Sequence, residues 1–240
     1  MKNILIFTHP LKKFNEETAQ LVRLQIDNSY ELGWKKEDII LVTNFDYEYN
    51  EIKSIVIPYL RCEFDPTSNK IPVIVYLLQN NMLPDNLYWY HDFDAYQNVY
   101  FDPPQLNRSF ALCMYGYKPE WQCGGFFFYS TAQLIFQEWV NRMLIPRTRA
   151  DEKTMKNMMN DGWMEDKFEE LNVSYNFTFR YVHRNYPKAE KPLKVVHFHP
   201  YYKDILMKDR ALDIFLGKNK LNIPLMSDRL IKIFNYHGIK

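Results

Sequence analysis

The sequence predicts an α/β fold built on a mostly parallel, mixed β-sheet that is flanked by helices. Two short runs of apolar and β-branched residues, Asn3 to Thr8 and Asp38 to Thr43, have the composition of buried strands. Between them, apolar residues recur at helical spacing from Asn15 to Asn28. A strand, a helix and a second strand in this order are typical of a βαβ unit, which favours a parallel sheet.

The middle of the chain predicts one more helix and three more strands. Ile71 to Met82 is a helix that carries Pro72 in its first turn, where the missing amide hydrogen is tolerated. After a turn at 84–86, the apolar run Leu87 to His91 is a strand. Phe110 to Tyr115 and Gly125 to Tyr129 are two further strands.

The second half alternates helices with a late strand. Thr131 to Leu144 predicts a helix with Ser130 as its N-cap. Its expected apolar face consists of Leu134, Ile135, Trp139, Val140 and Leu144. Asp151 begins another helix that continues through Met159, and Leu193 to Phe198 is the last strand.

Two amphipathic helices, Asp204 to Leu216 and Ser227 to Tyr236, follow that strand. With 240 residues, 47% of them hydrophobic, the chain has enough apolar material for one full core. We therefore expect one domain over 1–203 and a helical extension over 204–240 that packs on it. The region from Arg180 to Lys240 has thirteen Lys and Arg against five Asp and Glu, and this excess permits peripheral contact with anionic lipid head groups.

Composition excludes several function classes. The net charge is only +1, so no overall field attracts nucleic acid. The seven glycines form no P-loop, no Gly-x-Gly-x-x-Gly and no Gly-x-Ser-x-Gly. The three cysteines form no Cys-x-x-Cys pair, which favours reduced thiols. No apolar stretch has the length of a signal peptide core or a transmembrane segment, so we expect a cytoplasmic protein.

The most informative segment follows the strand Leu87 to His91. Asp92 and Asp94 stand at i and i+2 at its carboxyl end, and in extended structure such residues point the same way. Two carboxylates suit Mn²⁺ or Mg²⁺ better than zinc. In open α/β sheets ligands bind beyond the carboxyl ends of the strands, which is where this pair is predicted. Solvated carboxylates in a loop are the alternative.

A second segment adds an imidazole and an ammonium group. The last strand ends on His197, and Lys203 follows six residues later. A neutral imidazole completes a metal site that carboxylates begin, and an ammonium neutralises phosphate charge. The alternatives are a buried core histidine and an ordinary surface lysine.

The order of these motifs resembles the nucleotide-sugar glycosyltransferases of the GT-A fold. It is most similar to the retaining family-eight type, which includes glycogenin and bacterial lipopolysaccharide galactosyltransferases. The resemblance extends from Asn3 to Lys203 and rests on Asp-x-Asp followed by a late His-Phe-x-x-x-x-Lys. Pro200 and Cys123 replace a glycine and an asparagine of the family pattern.

The resemblance implies a role for each candidate residue. A Mn²⁺ or Mg²⁺ ion is held by Asp92, Asp94 and His197, and stabilises charge on the departing nucleoside diphosphate. Asp151 and Glu152 stand where the family has a catalytic Asp-Gln pair, so Glu152 is a departure. The residues expected to bind the donor, a UDP-sugar, are Phe7, Thr8, His9, Lys70, Asp92, Asp94, Gly125 and Lys203.

The reaction expected from the resemblance is sugar transfer to a glycan or other hydroxyl acceptor with retention. Inversion stays open, because either Asp151 or Glu152 can act as a base. The loop from Tyr115 to Trp121 is the expected acceptor side. Alternative functions are a non-catalytic carbohydrate-binding relative, a nucleic-acid binder that uses the basic region, and a sugar-phosphate nucleotidyltransferase. The segment from Thr8 to Glu17 has no glycine, which disfavours the last of these.

Overall fold

The fold is described from a computed structural model that covers residues 1–60, 62, 66–115, 120–145, 150–179, 182–198 and 212–239. The strands are β1 (Lys2–Phe7), β2 (Ile39–Thr43), β3 (Glu48–Tyr49), β4 (Ile52–Lys53), β5 (Ile55–Val56), β6 (Leu87–His91), β7 (Ala95–Gln97), β8 (Phe110–Met114), β9 (Trp121–Tyr129), β10 (Phe168–Leu171), β11 (Phe177–Thr178) and β12 (Val195–His197). The helices are α1 (Glu16–Glu31), α2 (Lys70–Gln79), α3 (Gln133–Met143), α4 (Asp151–Asn160), α5 (Val182–Asn185) and α6 (Asp228–Tyr236). Residues 212–215 form a further helical turn.

A seven-stranded sheet forms the centre of the molecule, in the order β10-β8-β9-β6-β1-β2-β5. Its pairings are parallel except for the two that β9 makes with β8 and β6. The predicted α/β class with a mostly parallel mixed sheet is therefore confirmed. The predicted βαβ opening corresponds to β1, α1 and β2, and Asn15 caps α1 by accepting a hydrogen bond from the amide of Thr18.

Successive side chains along each strand point to opposite faces of this sheet, so that the apolar core is divided between the two faces. On one face, side chains such as Ile4, Tyr88 and Phe126 pack with apolar residues of α2, α3 and α4. On the other face, Leu5 packs with α1 and Trp89 packs with residues of the smaller sheet. Helices therefore lie on both faces of the sheet.

A second, three-stranded sheet has the order β11-β12-β7. The strand β7 begins four residues after the end of β6 and pairs antiparallel with β12, so that Ala95 lies opposite His197. This pairing brings the late strand next to the turn that follows β6. The sequence predicts β12 but not β7 or β11, which are only three and two residues long.

The predicted helix from Thr131 to Leu144 differs from the observed one. Ser130 begins a 3-10 turn instead of acting as an N-cap, and its hydroxyl bonds Asp85. The helix α3 then buries Ile135, Phe136, Trp139 and Met143, whereas Leu134 and Leu144 are exposed. The face prediction is wrong in part because a rotation of about 100° per residue turns Leu134 and Leu144 away from the stripe that the four buried residues form.

Helix α6 lies against α1. Leu230 and Phe234 are buried in a cluster with Leu24 of α1, and Arg229 donates to Asn28 Oδ1 at 2.7 Å. The other predicted C-terminal helix, Asp204 to Leu216, falls outside the described residues except for 212–216. None of the helices described here is both long and apolar enough for a membrane span.

Candidate metal centre

The Asp-x-Asp segment forms a tight turn between two strands of different sheets. The amide of Asp92 donates to the carbonyl of Gly124 at 2.8 Å, and the amide of Ala95 donates back to the carbonyl of Asp92 at 3.0 Å. The amide of Phe198 donates to the carbonyl of Asp94 at 2.9 Å. Backbone hydrogen bonds with Gly124 of β9, with the first residue of β7 and with the residue after β12 thus fix the turn that carries both carboxylates.

This turn brings Asp92, Asp94 and His197 together. One ligand atom from each of the three side chains lies within 4.8 Å of the other two, and His197 Nε2 is 3.3 Å from Asp94 Oδ1. The imidazole is 1% exposed, while the carboxylates of Asp92 and Asp94 are 31% and 23% exposed. The group therefore has a buried imidazole on one side and solvent-accessible oxygens on the other.

Because Gly124 has no side chain, there is open space beside this group of three residues. A Cβ atom at position 124 would overlap His197 Cε1, and it would lie 2.8 Å from Asp92 Oδ2 and 3.1 Å from His197 Nε2. Any larger residue would displace the two side chains. The sequence analysis did not single out Gly124, because its importance depends on β12 crossing close to β9.

Gly125 lies next along β9, opposite His91 of β6. A Cβ atom at position 125 would be 3.1 Å from Asn176 Nδ2. The imidazole of His197 contacts the same amide, with Nδ1 2.8 Å from Asn176 Oδ1. Gly125 therefore borders the residue that holds His197, whereas Gly124 borders the group of three ligands itself.

Lys70 lies between two carboxylates at the start of α2. Its ammonium is 2.9 Å from Asp151 Oδ2 and 3.2 Å from Asp92 Oδ1, and its side chain is 5% exposed. Burial lowers the pKa of Lys70, but the Asp151 and Asp92 carboxylates outweigh it and hold that pKa well above its usual value. Tyr90 also donates its hydroxyl to Asp92 Oδ1. Asp92 Oδ1 thus bonds both Lys70 and Tyr90, while Oδ2 makes a longer contact with Lys70, at 3.4 Å, and faces Gly124.

Glu152 is close to this cluster but has other partners. The Tyr115 hydroxyl donates to Glu152 Oε1 at 3.0 Å. Burial, followed by the neighbouring Asp151 carboxylate, raises the pKa of Glu152. The two acids at the start of α4 therefore differ, since Asp151 faces a cation and Glu152 faces a neutral hydroxyl.

The end of β1 carries Phe7, Thr8 and His9, beside the Asp-x-Asp turn. The rings of Phe7 and His9 are nearly parallel with centroids 5.9 Å apart, and Phe93 of the turn lies 6.1 Å from Phe7. Asn44 fixes His9 by bonding its backbone amide and carbonyl, both at 2.9 Å. Aromatic surface therefore adjoins the carboxylates.

Two predicted features lie outside the described residues. These are Lys203 and the centre of the expected acceptor loop, residues 116–119. His91, in contrast, is described and turns away from the group. Its Nε2 is 3.0 Å from Asn3 Oδ1, and burial lowers the pKa of His91 to about 4, so this histidine is a neutral core residue.

Comparison with solved structures finds the same fold in several glycosyltransferases. No protein-family model and no curated protein matches the sequence. A glycosyltransferase involved in glycosylation of the major capsid of PBCV-1 matches the structure with a TM-score of 0.55 and 11% identity, over 89% of this chain and 99% of that chain. The galactosyltransferase LgtC, in complex with donor and acceptor sugar analogs, matches with a TM-score of 0.57 and 10% identity, over 89% and 95%.

The glycosyltransferase GlyE of Streptococcus pneumoniae TIGR4 matches with a TM-score of 0.58 and 10% identity. The match covers 100% of this chain and 64% of GlyE. At these identities the likeness establishes the fold, and the expected GT-A fold is confirmed.

Proposed function

We propose that this protein is a metal-dependent glycosyltransferase that moves a sugar from a UDP-sugar to a glycan or other hydroxyl acceptor. The observation that carries the proposal is the Asp92, Asp94 and His197 group. It lies at the carboxyl end of β6, which is where α/β sheets bind ligands. Solved glycosyltransferases that share this fold support the same conclusion.

The residues of this group fit a Mn²⁺ or Mg²⁺ ion. Two carboxylates and one imidazole are the oxygen and nitrogen donors that Mn²⁺ accepts, and the absence of a side chain at Gly124 keeps the space next to Asp92 Oδ2 and His197 Nε2 open. Lys70 and Tyr90 hold Asp92 Oδ1, and Oδ2, which Lys70 contacts at the longer distance of 3.4 Å, is the oxygen that faces the ion. When bound, such an ion acts as a Lewis acid toward the diphosphate leaving group.

The chain's own residues bind and orient the donor. Phe7, Thr8 and His9 contact the base and the ribose at the end of β1, with the ring of Phe93 completing the aromatic surface. Lys203 neutralises charge on the diphosphate. Gly125 allows close approach of the sugar to the backbone of β9.

Asp151 and Glu152 act on the sugar side. The ion pair with Lys70 keeps Asp151 in place as an acceptor for sugar hydroxyls. Glu152, which Tyr115 orients, faces the anomeric carbon and acts there as nucleophile or base. Transfer with retention is the expected outcome, and analysis of product stereochemistry distinguishes it from inversion.

A donor screen tests this function directly. Nucleoside diphosphate sugars are incubated with the protein and Mn²⁺ or Mg²⁺, and both donor hydrolysis and the melting temperature are measured. We expect hydrolysis of a UDP-sugar that stops in EDTA, and stabilisation by Mn²⁺ with UDP, because a ligand that binds only the folded state stabilises it by mass action. Mn²⁺ and UDP binding without turnover of any donor would instead indicate a non-catalytic relative.

Asp94→Asn is the decisive variant. It removes one anionic ligand without changing the size of the side chain. The ion contributes several kcal/mol to the transition state, so we expect more than about a 100-fold loss of Mn²⁺-dependent hydrolysis. Asp102→Asn, which changes an exposed carboxylate outside the group, is the control and should retain wild-type activity. Equal rates in wild type and Asp94→Asn would refute the metal role.

A further inference from the structure

Asn176 holds the one histidine of the candidate metal centre. It ends the 3-10 turn Val173–Asn176 and is 1% exposed. Its Oδ1 is 2.8 Å from His197 Nδ1, and its Nδ2 donates to the backbone carbonyl of Gln122 at 3.4 Å. Asn176 therefore links β12 to β9, the two strands that border the group.

The carbonyl of Gln122 determines which way the amide of Asn176 points. A carbonyl oxygen only accepts hydrogen bonds, so the Asn176 atom that faces it must be the NH₂ group. The oxygen Oδ1 then faces His197, and because Oδ1 also only accepts, Nδ1 of the imidazole must carry a hydrogen. Gly125 permits this arrangement, since a Cβ atom there would press on Asn176 Nδ2 at 3.1 Å.

A hydrogen on Nδ1 leaves Nε2 as the metal-binding nitrogen of the neutral ring. Nε2 lies 3.3 Å from Asp94 Oδ1 and beside the space that Gly124 leaves. In that tautomer both Nε2 and Asp94 Oδ1 are acceptors, and a cation between them compensates their repulsion. Metal-binding histidines commonly donate their other ring hydrogen to an oxygen that fixes the tautomer, and such partners affect metal affinity strongly.

We propose that Asn176 is a positioning residue that keeps the hydrogen of His197 on Nδ1 and thereby presents Nε2 to a divalent cation shared with Asp92 and Asp94. This inference rests on the metal site of the proposed function. It adds a residue that contacts neither cation nor donor but determines whether His197 can act as a ligand.

Three variants separate this role from a general effect on folding. Asn176→Leu has a similar size but lacks the acceptor, whereas Asn176→Asp keeps an oxygen for Nδ1 to bond. Asn172→Leu is the matched control, because Asn172 caps the same 3-10 turn through Ser174 and bonds Lys188 and Glu190 instead of a site residue. Thermal melting in EDTA identifies any variant that fails to fold.

The first readout is the Kd for Mn²⁺ alone, measured from the electron paramagnetic resonance signal of the free ion. Loss of a partner of this kind weakens metal affinity by about 10- to 100-fold, and we expect that loss for Asn176→Leu. Asn176→Asp should stay within a few-fold of wild type, and Asn172→Leu should bind Mn²⁺ as wild type does even if it melts earlier. Wild-type affinity in Asn176→Leu, or an equal loss in Asn176→Asp, would overturn the proposal.

The second readout is the ring nitrogen signals of His197 in the metal-free protein with ¹⁵N-labelled histidine, assigned by comparison with His197→Gln. We expect a protonated Nδ1 in wild type and Asn176→Asp. An unprotonated Nδ1 in wild type would contradict the proposal whether or not Mn²⁺ binds. Failure of wild type to bind Mn²⁺ would instead overturn the metal site of the proposed function, while the nitrogen signals would still decide the state of His197.

Discussion

Asp151 and Glu152 are adjacent in the chain, yet their carboxylates lie in different electrostatic environments. The carboxylate of Asp151 is compensated by Lys70 at 2.9 Å. Glu152 is partly buried, receives a hydrogen bond from the neutral Tyr115 hydroxyl and lies beside the Asp151 carboxylate, so that burial and this charge raise its pKa. The folded protein therefore holds a proton on Glu152 more tightly than the unfolded chain does.

This difference predicts how stability changes with pH. The ionised form of Glu152 destabilises the fold, and this penalty grows as pH rises from the usual glutamate pKa of 4.5 through the raised pKa of the folded state. Glu152→Gln keeps an oxygen for Tyr115 and removes the charge. We expect its free energy of unfolding in EDTA to exceed that of wild type increasingly as pH rises above the usual glutamate value, until the difference levels off above the raised pKa of the folded state. Urea unfolding at several pH values tests this, and a difference that shrinks toward high pH would contradict it.

The close packing around Gly124 predicts that a larger residue at this position disturbs the same site. In Gly124→Ala the new methyl group would overlap the imidazole of His197 and press on Asp92 Oδ2. We expect at least a 10-fold weaker Mn²⁺ affinity, and overpacking typically costs about 1–3 kcal/mol of stability. Gly125→Ala is the graded comparison, because its methyl group meets only the Asn176 amide at 3.1 Å. Titration with Mn²⁺ measures both, and an unchanged affinity in Gly124→Ala would show that the space beside it is not used.

Sequence reasoning found the charged residues of the site more readily than the residues that arrange them. Asp92 and Asp94 follow an apolar strand at i and i+2, a pattern that is visible without any structure. The roles of Gly124 and Asn176 in arranging His197 have no comparable local signal. Their roles arise from the close approach of β9, β12 and the 3-10 turn, which are pairings between distant parts of the chain.

At the scale of elements, prediction succeeded where the repeat of apolar residues was long and uninterrupted. Helix α1 has sixteen residues and a capping asparagine, and it was expected from spacing alone. Helix α3 was expected at the right place, but its buried face was partly wrong because the expected apolar residues extend around more of the helix than the buried stripe does. Strands of two or three residues, such as β7 and β11, are too short to show a period.

Helix α6 allows a test of how much the C-terminal region contributes to the stability of the whole fold. Leu230 is fully buried against α1, whereas Tyr236 on the same helix is 81% exposed. Leu230→Ala should lower the free energy of unfolding by about 2–5 kcal/mol, and Tyr236→Ala by less than about 0.5 kcal/mol. Urea unfolding measures both. A small effect of Leu230→Ala, or a separate early transition, would mean that α6 unfolds independently of the main sheet.

At the scale of the whole molecule, the candidate site depends on the meeting of two sheets. Asp92 follows a strand of the seven-stranded sheet, and His197 ends a strand of the three-stranded sheet. The first βαβ unit is local in sequence, so periodicity predicts it. The convergence of the two sheets is not local, and the sequence indicates it only through the side-chain chemistry of the two segments and the resemblance of their order to a known family.

The distance along the chain between these ligands has a consequence during translation. During translation, the ribosome synthesises both aspartates of the turn and Lys70 long before it synthesises His197. Until β12 has emerged and paired with β7, the nascent polypeptide has the carboxylates but lacks the imidazole. The proposed metal site is therefore complete only in a chain that has been synthesised beyond β12, and a shorter nascent chain holds only part of its ligand group.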